Sequence, residues 1–134
     1  MIVYNGPIGE TVENPTDEFL MDIFFAKGED YWKKGSGDSC IKVEGCNEKI
    51  IFFYDEPYGF FIMRHPDYLV MYDKSIDIKT VEHRVGGEPM QVPTCSYVKR
   101  KMAYKIISSF IKLKIIPDFV SWIDLYDIDF EYEF

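Results

Sequence analysis

The sequence predicts an α+β fold: a central antiparallel β-sheet of about five to seven strands, connected as a meander and flanked by two main α-helices. Short apolar runs separated by turn residues fill the middle of the chain, between residues 40 and 85. On either side of this region, apolar residues recur at helical spacing. The links between the runs are shorter than the roughly dozen residues of a parallel crossover, so neighbouring strands are expected to be antiparallel.

The N-terminal part predicts one short strand and one helix. Residues 2–4 form the strand, which ends at the turn-forming Asn5-Gly6-Pro7. Asn14 or Thr16 can cap a helix of about three turns, and Gly28 is placed to end it. The apolar side of this helix consists of Phe19, Leu20, Ile23 and Phe24.

The sheet itself is predicted from five apolar runs. They cover residues 40–44, 49–54, 58–64, 68–72 and 80–85. Gly or Pro residues, or the Asp73-Lys74 pair, separate these five runs. Gly86-Gly87 follows the last run as a turn.

The second helix has the clearer pattern. Ser96 can cap it, Pro117 ends it, and residues 119–123, including Trp122, begin a last extended segment. Its apolar stripe consists of Val98, Met102, Ile106, Phe110 and Leu113, widened by Ala103, Ile107 and Ile111. Its other side is basic and carries Lys99, Arg100, Lys101, Lys105, Lys112 and Lys114.

The C-terminal segment, residues 124–134, is the strongest functional signal. From Ile128 onward it alternates apolar and acidic residues, which predicts a strand with one buried face and one row of carboxylates. From Ile115 to the end there are six acids and no Lys, Arg or His. Such a row repels itself unless a cation or a basic partner lies opposite.

We therefore expect this segment to bind a partner, with the acids as electrostatic anchors and the tyrosines as aromatic contacts. The alternative is a solvated edge strand whose charges only prevent aggregation. The basic helix is expected on the opposite surface, because a helix covers the apolar face of a sheet while the acids point away from it. The candidate partner-binding residues are Asp124, Tyr126, Asp127, Asp129, Glu131, Tyr132 and Glu133.

Composition narrows the function classes. The 134 residues are enough for one domain, and a hydrophobic share of 47% indicates a globular chain. A net charge of -8 argues against nucleic acid or an anionic membrane as the direct ligand and favours a basic protein. Three cysteines without CxxC spacing suit the reducing cytoplasm. We see neither a signal peptide nor a run of the roughly 20 apolar residues that span a bilayer.

The sequence shows no catalytic constellation. His65 and His83 are the only histidines, and neither stands in a metal-binding or catalytic motif, so both are expected to be structural or surface residues. Cys95 precedes the second helix, whose dipole could activate a thiol, but it has no identifiable His partner. The glycine-rich turns lack the spacing of phosphate-binding loops. We expect no enzyme activity, no cofactor and no metal site.

Several of these segments occur in a recognisable order. They are Gly35-Ser36-Gly37-Asp38, Ile50-Ile51-Phe52-Phe53, Tyr58-Gly59-Phe60-Phe61 and Val85-Gly86-Gly87-Glu88-Pro89, followed by a helix and Trp122. Over about residues 30–123, this order resembles small immunity proteins of bacterial polymorphic toxin and contact-dependent growth inhibition systems. The resemblance implies one α+β immunity-type domain over residues 1–134, without enzymatic activity, that binds one cognate toxin. It also implies that the glycines, Glu88 and Trp122 determine the fold.

Charge and resemblance lead to one hypothesis. The protein is expected to neutralise a basic toxin domain that acts on nucleic acid, by stoichiometric occlusion of its active site, as a monomer in the cytoplasm. One alternative is a non-catalytic adaptor or subunit of a cytoplasmic complex that binds a basic partner through the acidic strand. Another is an enzyme that uses His65 or His83, which requires one histidine to lie in a cleft beside a carboxylate.

Overall fold

A computed structural model of the chain describes residues 1–130, which contain ten β-strands and three α-helices. The strands are Ile2–Asn5 (β1), Thr11–Glu13 (β2), Ser39–Val43 (β3), Lys49–Asp55 (β4), Gly59–His65 (β5), Leu69–Met71 (β6), Thr80–Val85 (β7), Glu88–Pro93 (β8), Tyr97–Val98 (β9) and Trp122–Asp124 (β10). The helices are Asp17–Met21 (α1), Glu29–Trp32 (α2) and Arg100–Leu113 (α3). Within residues 1–130, every helix is too short or too polar to cross a lipid bilayer.

The predicted α+β class is confirmed. Seven strands lie side by side in the order β10-β6-β5-β4-β3-β1-β2, and the two-residue strand β9 also pairs with β5. All these pairs are antiparallel, and β3 to β6 form the predicted meander. β1 lies inside the sheet, between β2 and β3.

The two faces of the sheet carry two separate apolar cores. In β4, Phe52 and Tyr54 point to one face, and Phe53 and Asp55 point to the other, as the two-residue period requires. The first core is covered by α1, the turn after it, α2 and α3, and its fully buried aromatic residues are Tyr4, Phe24, Trp32, Phe52, Phe60 and Phe110. Both predicted helices therefore lie on the same face.

The first helix begins where the sequence predicts but is less regular. Thr16 is the cap, since its hydroxyl accepts a hydrogen bond from the backbone N–H of Phe19 at 3.1 Å. After Met21 the helix continues as one π-helical turn, Asp22–Ala26. The helical segment ends just before Gly28, as predicted: Lys27 is the C-cap of the π turn, and Gly28 follows it in an extended conformation as the N-cap of α2.

The second helix starts later than predicted. Ser96 does not cap it, because residues 94–96 form a 3₁₀ turn and Tyr97–Val98 then pairs with β5 as β9. These backbone hydrogen bonds to the sheet hold Val98 extended, so Lys99 becomes the cap residue. At the other end, Lys114 adopts a left-handed conformation with φ of 58° and closes the helix before Pro117 is reached.

The second core lies under a hairpin that the sequence predicts only in part. β7 was expected, but its partner β8 was not, and the two strands form a separate two-stranded sheet. Gly86 and Gly87 make the turn with φ of 60° and 84°, which a glycine adopts without strain. Val81, Val85, Met90 and Val92 of this hairpin pack on the second core, beside Phe53, Phe61 and Met63 of the main sheet.

The predicted C-terminal strand is wrong for its described part. β10 ends at Asp124, and residues 125–127 form a 3₁₀ turn in which the Asp124 carboxylate accepts a hydrogen bond from the N–H of Tyr126. The predicted alternation of buried apolar and exposed acidic side chains is nevertheless found from Ile128 to Phe130. Ile128 and Phe130 are buried in the second core, while Asp129 is exposed. Glu131, Tyr132, Glu133 and Phe134 lie outside the described residues.

Candidate partner-binding surface

The edge strand β10 and the turn after it form the first candidate surface. β10 pairs with β6 so that Asp124 lies opposite Leu69. The chain then turns against the loop that precedes β6, because the N–H of Leu125 donates to the carbonyl of Tyr68 at 2.9 Å. Leu125 and Ile128 are buried in the second core and fix the turn on it. The side chain between them, Tyr126, is left on the outside.

Two tyrosines meet at this edge. The rings of Tyr126 and Tyr68 lie 5.8 Å apart in an edge-to-face arrangement, and Tyr126 is 66% exposed. Tyr68 has a positive φ of 58°, an uncommon conformation for a bulky side chain that costs about 1 kcal/mol or more. The backbone is thus held in a conformation that presents the Tyr68 ring beside Tyr126.

Carboxylates border this aromatic pair. Asp67 and Asp127 are each adjacent to one of the tyrosines in sequence and are exposed, and Asp124 is half-buried at the end of β10. Within residues 1–130, none of the three takes part in an ion pair. The cation on the neighbouring strand, Arg64, is already paired with Glu48 at 2.5 Å. We name Asp67, Tyr68, Asp124, Tyr126 and Asp127 the acidic tyrosine patch.

The structure brings together only part of the predicted site. Asp124, Tyr126 and Asp127 belong to the acidic tyrosine patch. Asp129 instead lines a shallow depression of about 550 Å³, whose other walls are Ile78, Lys79, Thr80 and Phe130, so a lysine shares its surroundings. The predicted Glu131, Tyr132 and Glu133 are outside the described residues.

Sequence reasoning missed Asp67 and Tyr68. They follow Pro66 in a turn, and the pairing of β10 with β6 brings them to the C-terminal segment. The sequence contains no signal for that pairing, since residues 72–121 separate the two strands. The basic helix was expected to cover the apolar face of the C-terminal strand, but α3 packs on the first core, whereas Ile128 packs on the second.

A second candidate site is a buried polar network on the hairpin face. Asp55, 2% exposed, ends β4, and His83, 4% exposed, reaches it from β7. His83 Nδ1 lies 2.9 Å from Asp55 Oδ1, and the Tyr97 hydroxyl donates to Asp55 Oδ2 at 2.6 Å. Lys33 Nζ contacts Asp55 Oδ1 at 2.9 Å and Glu29 at 2.6 Å. The His83 ring stacks on Phe53 at 3.9 Å.

Opposing effects set the ionisation of Asp55. Burial by itself raises the pKa of this carboxyl, but the hydrogen bonds from His83, Tyr97 and Lys33 together outweigh burial and lower the pKa below its usual value. For Tyr97 the effects add: burial and the Asp55 charge both raise the pKa of the phenol. The network therefore holds an ionised Asp55 and a neutral Tyr97 at neutral pH.

Both ring nitrogens of His83 face hydrogen-bond acceptors. Nε2 lies 2.6 Å from the carbonyl oxygen of Gly37, and Nδ1 faces the ionised Asp55. With both nitrogens occupied and the ring buried, His83 has no free position for proton exchange with a substrate.

The network thus places a histidine beside a carboxylate, which is one part of the requirement stated for an enzyme, but both groups are buried and join parts of the fold. It connects the hairpin to the loop that holds Gly37 and to the main sheet. Asp38 adds a bond to the same hairpin, since its carboxylate accepts from the N–H of Gly86 at 3.0 Å. A buried Asp at the end of the apolar run 50–54 was the one signal of this network in the sequence.

The other residues with reactive side chains are placed as follows. Cys95 lies in the 3₁₀ turn before β9, not at the start of α3, and burial raises the pKa of its thiol. His65 is half-buried near the Tyr68 ring. Within residues 1–130, no three His, Cys, Asp or Glu side chains are close enough together to hold a metal ion.

Comparison with known proteins gives no assignment. The chain matches no known protein family, and a search of curated proteins found no match.

Proposed function

We propose that the protein is a non-catalytic immunity protein that binds a basic toxin domain in the cytoplasm and occludes its active site. The observation that carries the proposal is the acidic tyrosine patch, an exposed pair of aromatic rings bordered by three carboxylates. The toxin as partner comes from the sequence resemblance. A basic protein as partner follows from the charges of the patch.

The patch has the composition of an interaction surface. Tyrosine is enriched among residues that dominate binding energy, because its large ring loses little conformational entropy when it is buried in an interface. The ring of Tyr126 is mostly exposed, and the buried Leu125 and Ile128 on either side fix the backbone that presents it. A rigid, exposed ring of this kind is ready to fill a pocket on a partner.

The carboxylates supply long-range attraction. Asp67 and Asp127 are exposed and have no ion-pair partner among residues 1–130, so their charges act on an approaching molecule. Complementary charge raises association rates above the neutral range of about 10⁵ to 10⁶ M⁻¹s⁻¹. A toxin that acts on nucleic acid needs Lys and Arg around its active site to hold phosphates, and a carboxylate-bearing inhibitor fits that site.

The buried network supports the non-catalytic part of the proposal. Both nitrogens of His83 are occupied by acceptors inside the fold, and Asp55 is covered by His83, Tyr97 and Lys33. These groups connect the hairpin to the sheet, which is a structural role.

The experiment measures association with the C-terminal toxin domain of the polypeptide encoded immediately upstream. Asp127→Lys reverses one charge in the patch, and Glu13→Lys makes the same change on β2, the opposite edge of the sheet. We expect Asp127→Lys to slow association about tenfold at low salt and Glu13→Lys to leave it nearly unchanged. The rate of the unmodified protein should fall as salt is added.

Tyr126→Ala tests the aromatic contact in the same assay. Loss of an anchor residue should speed dissociation and weaken binding by about 2 kcal/mol, with the association rate little changed. Equal effects of Asp127→Lys and Glu13→Lys would place the interface elsewhere. If the toxin domain does not bind at all, the immunity function is wrong, and an adaptor for another basic protein takes its place.

A further inference from the structure

A groove of about 870 Å³ opens beside β5, where two strands share one edge. β6 pairs with β5 at Met63 and Arg64, and β9 pairs with it at Phe60 and Phe61. The chain leaves the sheet after Met71 and returns to it at Tyr97. The two segments are joined where the N–H of Asp73 donates to the carbonyl of Cys95 at 2.9 Å, and the groove lies beside this junction.

Most of the groove wall is apolar. Met102 stands at its rim and is 37% exposed although it belongs to the apolar stripe of α3. A groove of this volume matches the size of small-molecule sites, which are about 300–1,000 Å³. The apolar lining residues are Pro57, Tyr58, Met71, Tyr72, Ile76, Val98, Met102 and Val120.

Several polar groups in the wall already have partners within the fold. The Thr94 hydroxyl donates to the carbonyl of Asp77 and accepts from the N–H of Lys79. The Tyr97 hydroxyl donates to Asp55. Asp73 accepts from the N–H and the hydroxyl of Ser75, and these hydrogen bonds lower the pKa of its carboxyl. These groups hold the wall in place.

The groups left for a ligand are positive. Lys74 and Lys99 line the groove and are exposed, and neither takes part in an ion pair within residues 1–130. Lys99 is also the cap residue of α3, and no side chain caps the first N–H groups of this 14-residue helix. Its first turn contains no acid, so the positive end of the helix dipole is not offset locally.

We propose that this groove binds a small amphipathic anion, a carboxylate on an aliphatic or aromatic body. The body lies on the apolar wall between Met71 and Met102, and the carboxylate is held by Lys74, Lys99 and the first N–H groups of α3. The charge of the site is opposite to that of the chain, whose net charge is -8. Because the unpaired charges of the groove are Lys74 and Lys99, a cation with the same body is disfavoured there.

The groove is separate from the acidic tyrosine patch. It involves the end of β6 and the segment before β10, whereas the patch involves the loop before β6 and the turn after β10. The two sites have opposite charge and share no residue. Binding of the anion and binding of the proposed toxin can therefore fail or succeed independently.

The test uses decanoate as the probe and decyltrimethylammonium as the matched cation, each titrated below its micelle concentration. Calorimetry gives the stoichiometry and affinity, and backbone amide shifts locate the site. We expect one decanoate per chain with a Kd below about 1 mM, and binding of the cation at least about tenfold weaker. The largest amide shifts should fall on residues 71–74 and 98–102.

Two variants locate the head group and the body. Lys74→Gln/Lys99→Gln should weaken decanoate about tenfold, while Lys34→Gln/Lys112→Gln, two exposed lysines outside the groove, should change its affinity less than about twofold. Ser121→Trp, at the exposed rim, should block the groove without disturbing the core. Equal affinity for both probes, unchanged affinity in the groove variants, or no saturable binding overturns the proposal.

Discussion

The two faces of the sheet are closed in different ways. On one face, helices cover a core of closely packed aromatic rings. The centroid of the Trp32 ring lies 5.1 Å from that of Phe60 and 5.7 Å from that of Phe52. On the other face, a two-stranded hairpin covers a smaller apolar core and is joined to the sheet by the buried hydrogen bond between His83 and Asp55. The helical cover is held mainly by packing of apolar side chains, and the hairpin by packing together with buried hydrogen bonds to a carboxylate.

The difference reflects what each cover can bury. An amphipathic helix such as α3 presents a continuous apolar stripe, so packing suffices to fix it. A two-stranded hairpin is marginally stable alone and offers few apolar side chains on its inner face. Buried hydrogen bonds to charged groups then fix its position, because a displaced hairpin would leave those groups unpaired.

The largest expected effect comes from the helix-covered face. Phe52→Ala removes a ring at 0% exposure from the centre of the first core, and we expect the free energy of unfolding to fall by about 3–5 kcal/mol. Urea denaturation measures it. Phe119→Ala, at an exposed phenylalanine, is the control and should change stability by less than about 1 kcal/mol. Similar losses for both variants would show that the first core is not packed as described.

The second largest expected effect concerns Asp55, whose buried hydrogen bonds hold the hairpin on the other face. Asp55→Asn keeps the shape of the side chain but leaves His83, Tyr97 and the Lys33 ammonium group without their carboxylate. We expect a loss of about 3 kcal/mol at neutral pH, measured by urea denaturation. Asp127→Asn, at an exposed acid, should change stability by less than about 0.5 kcal/mol.

The pH dependence of Asp55→Asn distinguishes charge from packing. Because the pKa of Asp55 is lowered in the folded state, its stabilising contribution is complete above the ordinary value of 3.8 and is lost as the pH falls through the lowered folded value. The stability difference between the unmodified protein and Asp55→Asn should therefore shrink in acid. A difference that stays constant with pH would assign the effect to packing.

The smallest expected effect concerns how closely the loop that holds Gly37 packs on the hairpin. Gly37 and Gly87 have nearly the same φ, 83° and 84°, but a Cβ on Gly37 would lie 2.4 Å from the carbonyl oxygen of Arg84, whereas Gly87 faces open space. Both alanine variants carry the conformational cost of about 1–2 kcal/mol. Thermal unfolding should show Gly37→Ala as the less stable of the two. Equal stability would mean that the loop and hairpin move apart freely.

The helix-covered face was largely predictable. The apolar stripes of the two helices and the short links of the meander are local patterns, and each has one common structural solution. The errors fall where distant segments compete with local signals. Ser96 is a good cap by type, but the pairing of Tyr97–Val98 with β5 displaces the helix start.

The hairpin face was not predictable in the same way. β8 contains prolines at Pro89 and Pro93, which argue against a strand in a sequence but are tolerated in a two-stranded sheet with free edges. Asp55 and His83 are 28 residues apart, and nothing local pairs them. The C-terminal alternation predicted burial correctly at Ile128 and Phe130, but Asp124 redirected the backbone into a turn.

The position of Arg100 bears on how the chain assembles. Its guanidinium donates to the carbonyls of Phe24 and Lys27 and lies 4.6 Å from the centre of the Tyr54 ring. The N-terminal helical segment thus gains these hydrogen bonds only from a residue synthesised some 75 positions later. Until α3 emerges from the ribosome, part of one face of the nascent sheet remains uncovered, so an arrested chain ending near Met71 should need chaperone protection.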